Sequence, residues 1–166
     1  MRPVPRYVVV GFLLLPLAAG CGPNPAQTRW TTAQQESRNK RAVAKEALPG
    51  KEFNKFFPKA ELPWDLTYKQ EKPGTAIASL KNEGKEVATL TVFDTISDPE
   101  VAKEYKEATQ ALSGCPLLAK GSKGTAVLVA NRFQVQVRSM HESFGEEERK
   151  EWLKKFDLDG IRNLIE

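Results

Sequence analysis

The stretch FQVQVRS, residues 133–139, decides the fold of this chain. Apolar and polar residues alternate through it without a break, as in a strand that turns one face to a core. Asn131-Arg132 separates it from a second β-branched run at 125–130, so the two runs should form a hairpin. The polar face of the strand should meet solvent or a partner, and its residues are our candidate binding surface: Gln134, Gln136 and Arg138.

Upstream of this hairpin, four further strands are expected. Trp64, Leu66 and Tyr68 alternate with polar residues, which indicates a half-buried strand. Pro73-Gly74 marks a turn before a second strand at 75–80. The loop at 82–85 leads into a third strand at 87–93, and a short strand is expected at 117–120.

Two helices are expected between and after these strands. Ser97, Pro99 and Glu100 are typical of a helix start, and the apolar spacing predicts a helix that runs to Leu112. Ser143 and Glu146 resemble a capping box for a second helix, which should end near residue 156. Phe53, Phe56 and Phe57 predict a short helical turn, and Asp157 or Asp159 should cap a last turn.

The element order βββαβββα predicts an α+β domain over residues 50–166. We expect an antiparallel sheet of about five to six strands with two main helices packed on one of its faces. A three-layer α/β/α sandwich is the alternative.

The charge balance limits the partners. The 166 residues include 25 Lys and Arg against 21 Asp and Glu, and two of the cations, Arg2 and Arg6, lie before residue 21. The remainder is close to neutral. A nucleic-acid-binding domain needs a concentrated basic face, so nucleic acid is not an expected partner.

Residues 1–20 have the three zones of a secretory signal peptide: Arg2 and Arg6, an apolar run of about twelve residues, and small residues before Cys21. The run is too short for a membrane span, which needs about 20 residues. Leu17-Ala18-Ala19-Gly20-Cys21 resembles the lipobox of bacterial lipoproteins, although Ala18 stands where Leu is usual. The resemblance implies cleavage before Cys21, acylation of Cys21 and anchoring in the cell membrane. Gly22 would favour the outer membrane, facing the periplasm, in a two-membrane envelope.

Residues 21–30 are polar and rich in Pro and Gly, which predicts a flexible tether. A helix is expected at 31–48. Its cations, Arg38, Lys40, Arg41 and Lys45, could attract anionic lipid or could be ordinary solvated charges, and its thin apolar stripe favours the second interpretation.

The sequence offers little for catalysis or for metal binding, so we expect no enzyme activity, no cofactor and no metal. His141 is the only histidine, and no nucleophile-elbow motif accompanies it. Once Cys21 is acylated, Cys115 has no partner in the chain, and burial is its expected state.

Two functions stay open. The first is a non-enzymatic binding or assembly module of the envelope. The second is a carrier or sensor with a pocket between helix and sheet, lined by four aromatic residues that could equally be core: Trp64, Tyr68, Phe93 and Trp152.

Overall fold

A computed structural model describes residues 44–165 of the chain. These residues form one antiparallel sheet of seven strands in the order β1-β2-β3-β7-β6-β5-β4. The strands are β1 (Trp64–Lys72), β2 (Thr75–Asn82), β3 (Lys85–Asp94), β4 (Gln110–Leu112), β5 (Cys115–Lys120), β6 (Gly124–Val129) and β7 (Phe133–Ser139). The α-helices in this part of the chain are α1 (Pro99–Lys103), α2 (Glu146–Lys154) and α3 (Leu158–Arg162). The α+β class and the antiparallel sheet are therefore confirmed, and the expected count of five to six strands is wrong.

The alternation in residues 133–139 determines the core. Phe133, Val135 and Val137 of β7 point to one face of the sheet and have no exposed surface. A 3₁₀ helix at Gly50–Phe56 covers this inner face together with α2 and α3. Phe53 packs edge-on against Phe133, with ring centroids 5.8 Å apart. The predicted helical turn of phenylalanines thus lies over the centre of the sheet.

The predicted helix from Ser97 to Leu112 is wrong. Only α1 is α-helical, a 3₁₀ turn follows at Glu104–Glu107, and Gln110–Leu112 joins the sheet as β4. Tyr105 packs with Ala126 and Leu128, which lie on the outer face of the sheet, opposite the phenylalanine core. The helical spacing of this segment predicts one long helix, but two tertiary interactions override that local preference. Residues of β4 pair with β5, and Tyr105 covers part of the outer face of the sheet. Helices therefore lie on both faces rather than on one.

The second helix is correctly predicted, but its start is displaced. α2 begins at Glu146 and its N-cap is Gly145, whose backbone N–H donates to Glu148 Oε2 at 2.9 Å. Ser143, the expected cap, instead bonds the His141 ring, with Oγ 2.9 Å from Nδ1. Asp157 caps α3 by accepting from the Gly160 backbone N–H at 2.8 Å, as one of the two expected alternatives.

A buried ion pair fixes the segment by which the chain enters the domain. Asp94 at the end of β3 has no exposed surface, and it accepts from Arg132 Nε at 2.9 Å and Nη2 at 2.8 Å. Its Oδ2 also accepts from the Leu48 backbone N–H, while Arg132 Nη2 reaches the Glu46 carbonyl oxygen. Residues 44–48, the last part of the predicted helix at 31–48, are not helical. They form an irregular segment, which we call the strap, and these hydrogen bonds hold it against the sheet. The rest of that helix, the tether and the signal peptide lie outside the described residues.

Gly50 follows this strap and leaves no room for a side chain. A Cβ there would lie 2.3 Å from the Thr75 carbonyl oxygen and 2.5 Å from that of Lys72. The close backbone approach brings the 3₁₀ helix down onto the β1–β2 turn.

Candidate functional site

The predicted binding surface of β7 is split by α1 and the 3₁₀ turn at Glu104–Glu107 that follows it, which together we call the α1 segment. Gln134 is only 8% exposed, because Tyr105 covers it and donates its hydroxyl proton to Gln134 Oε1 at 3.0 Å. Burial raises the pKa of Tyr105, so the hydroxyl keeps its proton. Gln136 is half-buried and Arg138 is exposed. Gln134 is therefore a structural residue, and the accessible part of the predicted surface begins at Gln136.

Beyond Gln136 the outer face is open over β1, β2 and β3, and we call this surface the open half. The strand register places a row of short polar side chains across it, ending at Arg138: Thr67, Ser79, Thr89 and Arg138. Ser79 has no exposed surface although no helix covers it. The salt bridge from Lys69 Nζ to Glu86 Oε2, at 2.6 Å, joins the strands on either side of Ser79 and lowers the pKa of Glu86. The open half is thus largely polar, with Ile77 and Phe93 half-buried on the same face, and it is braced by its own ion pair.

One end of the sheet carries exposed apolar side chains. This end, which we call the distal end, consists of the loops at 59–63, 83–84, 121–123 and 140–144, and the chain enters at the opposite end. Leu62 is 95% exposed and Met140 is 53% exposed. The Glu83 backbone N–H donates to the Pro63 carbonyl oxygen at 3.1 Å, which ties two of these loops together.

A groove of about 490 Å³ opens beside Leu62. Trp64 and Trp152 line it with their rings in edge contact at 5.2 Å, and Lys155 Nζ lies 4.2 Å from the Trp152 ring centroid. The volume exceeds the ~300 Å³ expected for a ligand pocket. Of the four aromatic residues proposed to line one pocket, only these two tryptophans meet.

The other two aromatic residues lie elsewhere. Tyr68 packs on Phe57 and donates its hydroxyl proton to the Asn54 carbonyl oxygen at 3.0 Å. Phe93 is paired with Thr75 and Gln134 on the outer face, whereas Trp64 and Tyr68 lie on the inner face. No single cavity can therefore be lined by all four.

A smaller cavity of about 180 Å³ lies under the α1 segment, between Tyr105, Leu128 and Pro116, with Lys103 and Lys106 at its mouth. A second one of the same volume lies at the β4–β5 edge. Both are below the usual size of a ligand site, and we assign no function to either.

Residues that could carry chemistry do not cluster in the part of the chain that the structure describes. His141 is exposed and contacts Ser143. Cys115 is 2% exposed in the core, as expected, with Arg162 Nη2 at 3.7 Å from its sulfur. Within residues 44–165 no three His, Cys, Asp or Glu side chains are grouped so that they could hold a metal ion. The same residues contain no helix that is long and apolar enough to span a membrane.

Comparisons with known proteins identify no relative of this chain. No protein-family model, curated protein or solved structure matches the chain.

Sequence reasoning missed the distal end. Leu62 stands alone between Glu61 and Pro63 in a polar loop, and Met140 follows the last residue of β7. Single apolar residues in loops carry no periodic signal, and only the strand register shows that the two lie at the same end.

Proposed function

We propose that this protein is a lipid-anchored lipoprotein of the bacterial cell envelope and that its domain is a non-enzymatic binding or assembly module. The anchor rests on the lipobox-like sequence that ends at Cys21. Two or more acyl chains on one residue give stable membrane attachment, whereas one chain gives only marginal binding. Export would place the domain outside the cytoplasm, and at the periplasmic face of the outer membrane in a two-membrane envelope.

The observation that carries the binding role is the open half. A polar sheet face with Gln136 and Arg138 is left accessible, although the same sheet is covered on its inner face and on the rest of its outer face. Arginine is enriched in protein interfaces, and interfaces that form after folding are as a whole about as polar as the rest of a protein surface. The partner that we propose is another protein of the envelope.

The anchor is tested by labelling with a radioactive fatty acid in a bacterium that processes lipoproteins. The wild-type chain should incorporate the label, and Cys21→Ser should incorporate none. Cys115→Ser is the matched control, because it removes the only other cysteine of the chain and should keep the full label. Label in the Cys21→Ser protein would show that the anchor assignment is wrong.

The binding surface is tested by photocrosslinking in living cells. A photoreactive residue at Thr91, on the open half, should give a discrete protein adduct, while the same residue at the exposed Glu151 of α2 should give none. Arg138→Glu should reduce the Thr91 adduct by about tenfold, which corresponds to the loss of ~1.4 kcal/mol of binding energy. Equal adducts at both positions, or none at Thr91, would count against this surface.

A small-ligand carrier is the second candidate, and the groove volume of about 490 Å³ is its one support. Native mass spectrometry of protein purified from envelopes should then show one bound small molecule, which Trp64→Ala removes. Protein that carries no ligand, or a ligand that survives this substitution, would remove the carrier from consideration.

A further inference from the structure

Exposed apolar and cationic side chains occur together at the distal end. Leu62 is almost fully exposed, Met140 is half-exposed, and Trp64 lies half-buried next to Leu62. The register of β1, β2, β3 and β7 places Leu62 and Met140 about three strand spacings apart, which is roughly 14 Å. Two apolar side chains at this separation can touch one flat surface at the same time.

The charges around these side chains favour an anionic surface. The groove beside Leu62 is lined by two lysines and one glutamate: Lys59, Lys155 and Glu61. Neither lysine forms a salt bridge within the described residues. A tryptophan flanked by lysines is typical of protein segments that lie at a membrane–water interface.

We propose that the distal end contacts an anionic lipid bilayer, with the Leu62 side chain placed among the lipid head groups and acyl chains and Trp64 at the interface. The lysines lie over the lipid phosphates. This inference rests on the proposed function, because the acyl anchor on Cys21 holds the domain beside that bilayer.

Because the anchor already holds the domain at the membrane, a contact of one or two side chains is enough to keep the distal end on the bilayer. One or two inserted side chains would not hold a free protein on a membrane, but a tethered domain meets the bilayer at an effective concentration in the millimolar range. If residues 31–43 are helical as expected, the chain between Cys21 and Ala44 spans about 50 Å, at ~3.3 Å per residue before residue 31 and ~1.5 Å per residue after it. The sheet separates the entry end from the distal end by roughly 27 Å, the length of an eight-residue strand. The tether is therefore long enough for the distal end to turn toward the membrane.

The experiment uses the full chain, purified from a bacterium that processes lipoproteins and mixed with vesicles of phosphatidylcholine and phosphatidylglycerol at a ratio of 7:3, in which the phosphatidylcholine carries bromine on its acyl chains. Bromine quenches tryptophan only at the depth of the bilayer. All proteins in this experiment carry Trp30→Phe, because Trp30 lies close to Cys21 in the sequence and would report the anchor itself. Two tryptophans then remain, so the emission should fall by up to about half relative to unbrominated vesicles if Trp64 alone is reached. A Trp64→Phe protein should lose this quenching and so identify its source.

Leu62→Asp should abolish most of the quenching, and Lys59→Gln with Lys155→Gln should reduce it about twofold or more in 0.1 M salt, because the attraction to lipid phosphates is lost. Ile165→Asp is the matched control, since it makes the same change at an exposed apolar residue outside the distal end and should leave the quenching intact. Vesicles of phosphatidylcholine alone should show little quenching.

Co-sedimentation with the vesicles separates the two proposals. Protein that fails to sediment with vesicles shows that the anchor, and with it the proposed function, is wrong. Protein that sediments but shows no Trp64 quenching, or equal quenching in Leu62→Asp, overturns the bilayer contact and leaves the anchor standing. A protein adduct from a photoreactive residue at position 62 in cells, together with unquenched Trp64, would also overturn it and would assign the distal end to a protein partner.

Discussion

Replacing Asp94 by alanine should lower the free energy of unfolding by about 2–4 kcal/mol, because a buried carboxylate that accepts four hydrogen bonds is lost while the Arg132 side chain stays a quarter exposed to solvent. The carboxylate of Asp94 is fully buried and accepts four hydrogen bonds, two from Arg132 and two from the backbone N–H groups of Leu48 and Ile96. Its removal leaves the guanidinium without its counter-charge. Arginine does not give up its proton in proteins, so Arg132 stays charged in the variant and cannot relieve the loss in that way.

Urea unfolding followed by tryptophan fluorescence measures this change as a lower midpoint at constant slope. Asp98→Ala is the matched control, because Asp98 is exposed and its side chain makes no capping bond; the expected change is below ~0.5 kcal/mol. Arg132→Met in the Asp94→Ala background should recover part of the loss, since the unpaired charge is then gone. An Asp94→Ala protein within ~1 kcal/mol of the wild type would show that the ion pair does not hold the strap to the domain.

Strands with strong alternation and the hairpins between consecutive strands were predictable, but the short strand β4 was not. Residues 133–139 alternate because one face of β7 is core, and this pattern is local. β4 has only three residues, and Leu112 pairs with Cys115 across a tight turn in which Ser113 and Gly114 both have positive φ. Three residues are too few for a periodic signal, so the sequence pattern predicts the end of a helix where the structure has β4.

The sequence predicts which residues of β7 face away from the core, but it does not predict which of them are accessible. Alternation correctly separates Gln134, Gln136 and Arg138 from the core side of β7, but it does not show what covers each one. Tyr105 covers Gln134 from a segment 29 residues earlier in the chain. Such long-range cover depends on where α1 packs, and no local pattern encodes that.

Arg149→Ala should lower the free energy of unfolding by about 3 kcal/mol. Arg149 on α2 is 5% exposed; its Nε donates to Thr125 Oγ1 and its Nη1 to Ser139 Oγ, both at 2.8 Å. These bonds join α2 to β6 and β7. Alanine would remove both bonds and most of the buried side-chain volume, and it would leave a cavity between the helix and the sheet.

Arg149 differs from Arg132 in having no carboxylate partner among the described residues. Methionine fills a similar volume without a buried charge, so Arg149→Met should cost less than ~1.5 kcal/mol, about half the loss of the alanine variant. Adding Thr125→Val to Arg149→Met should not weaken the protein further, because the hydroxyl of Thr125 has then lost its donor. If Met is as damaging as Ala in urea unfolding, the two hydrogen bonds rather than the buried volume stabilise this contact. If both variants unfold like the wild type, α2 is held to the sheet by Trp152 and Leu153 alone.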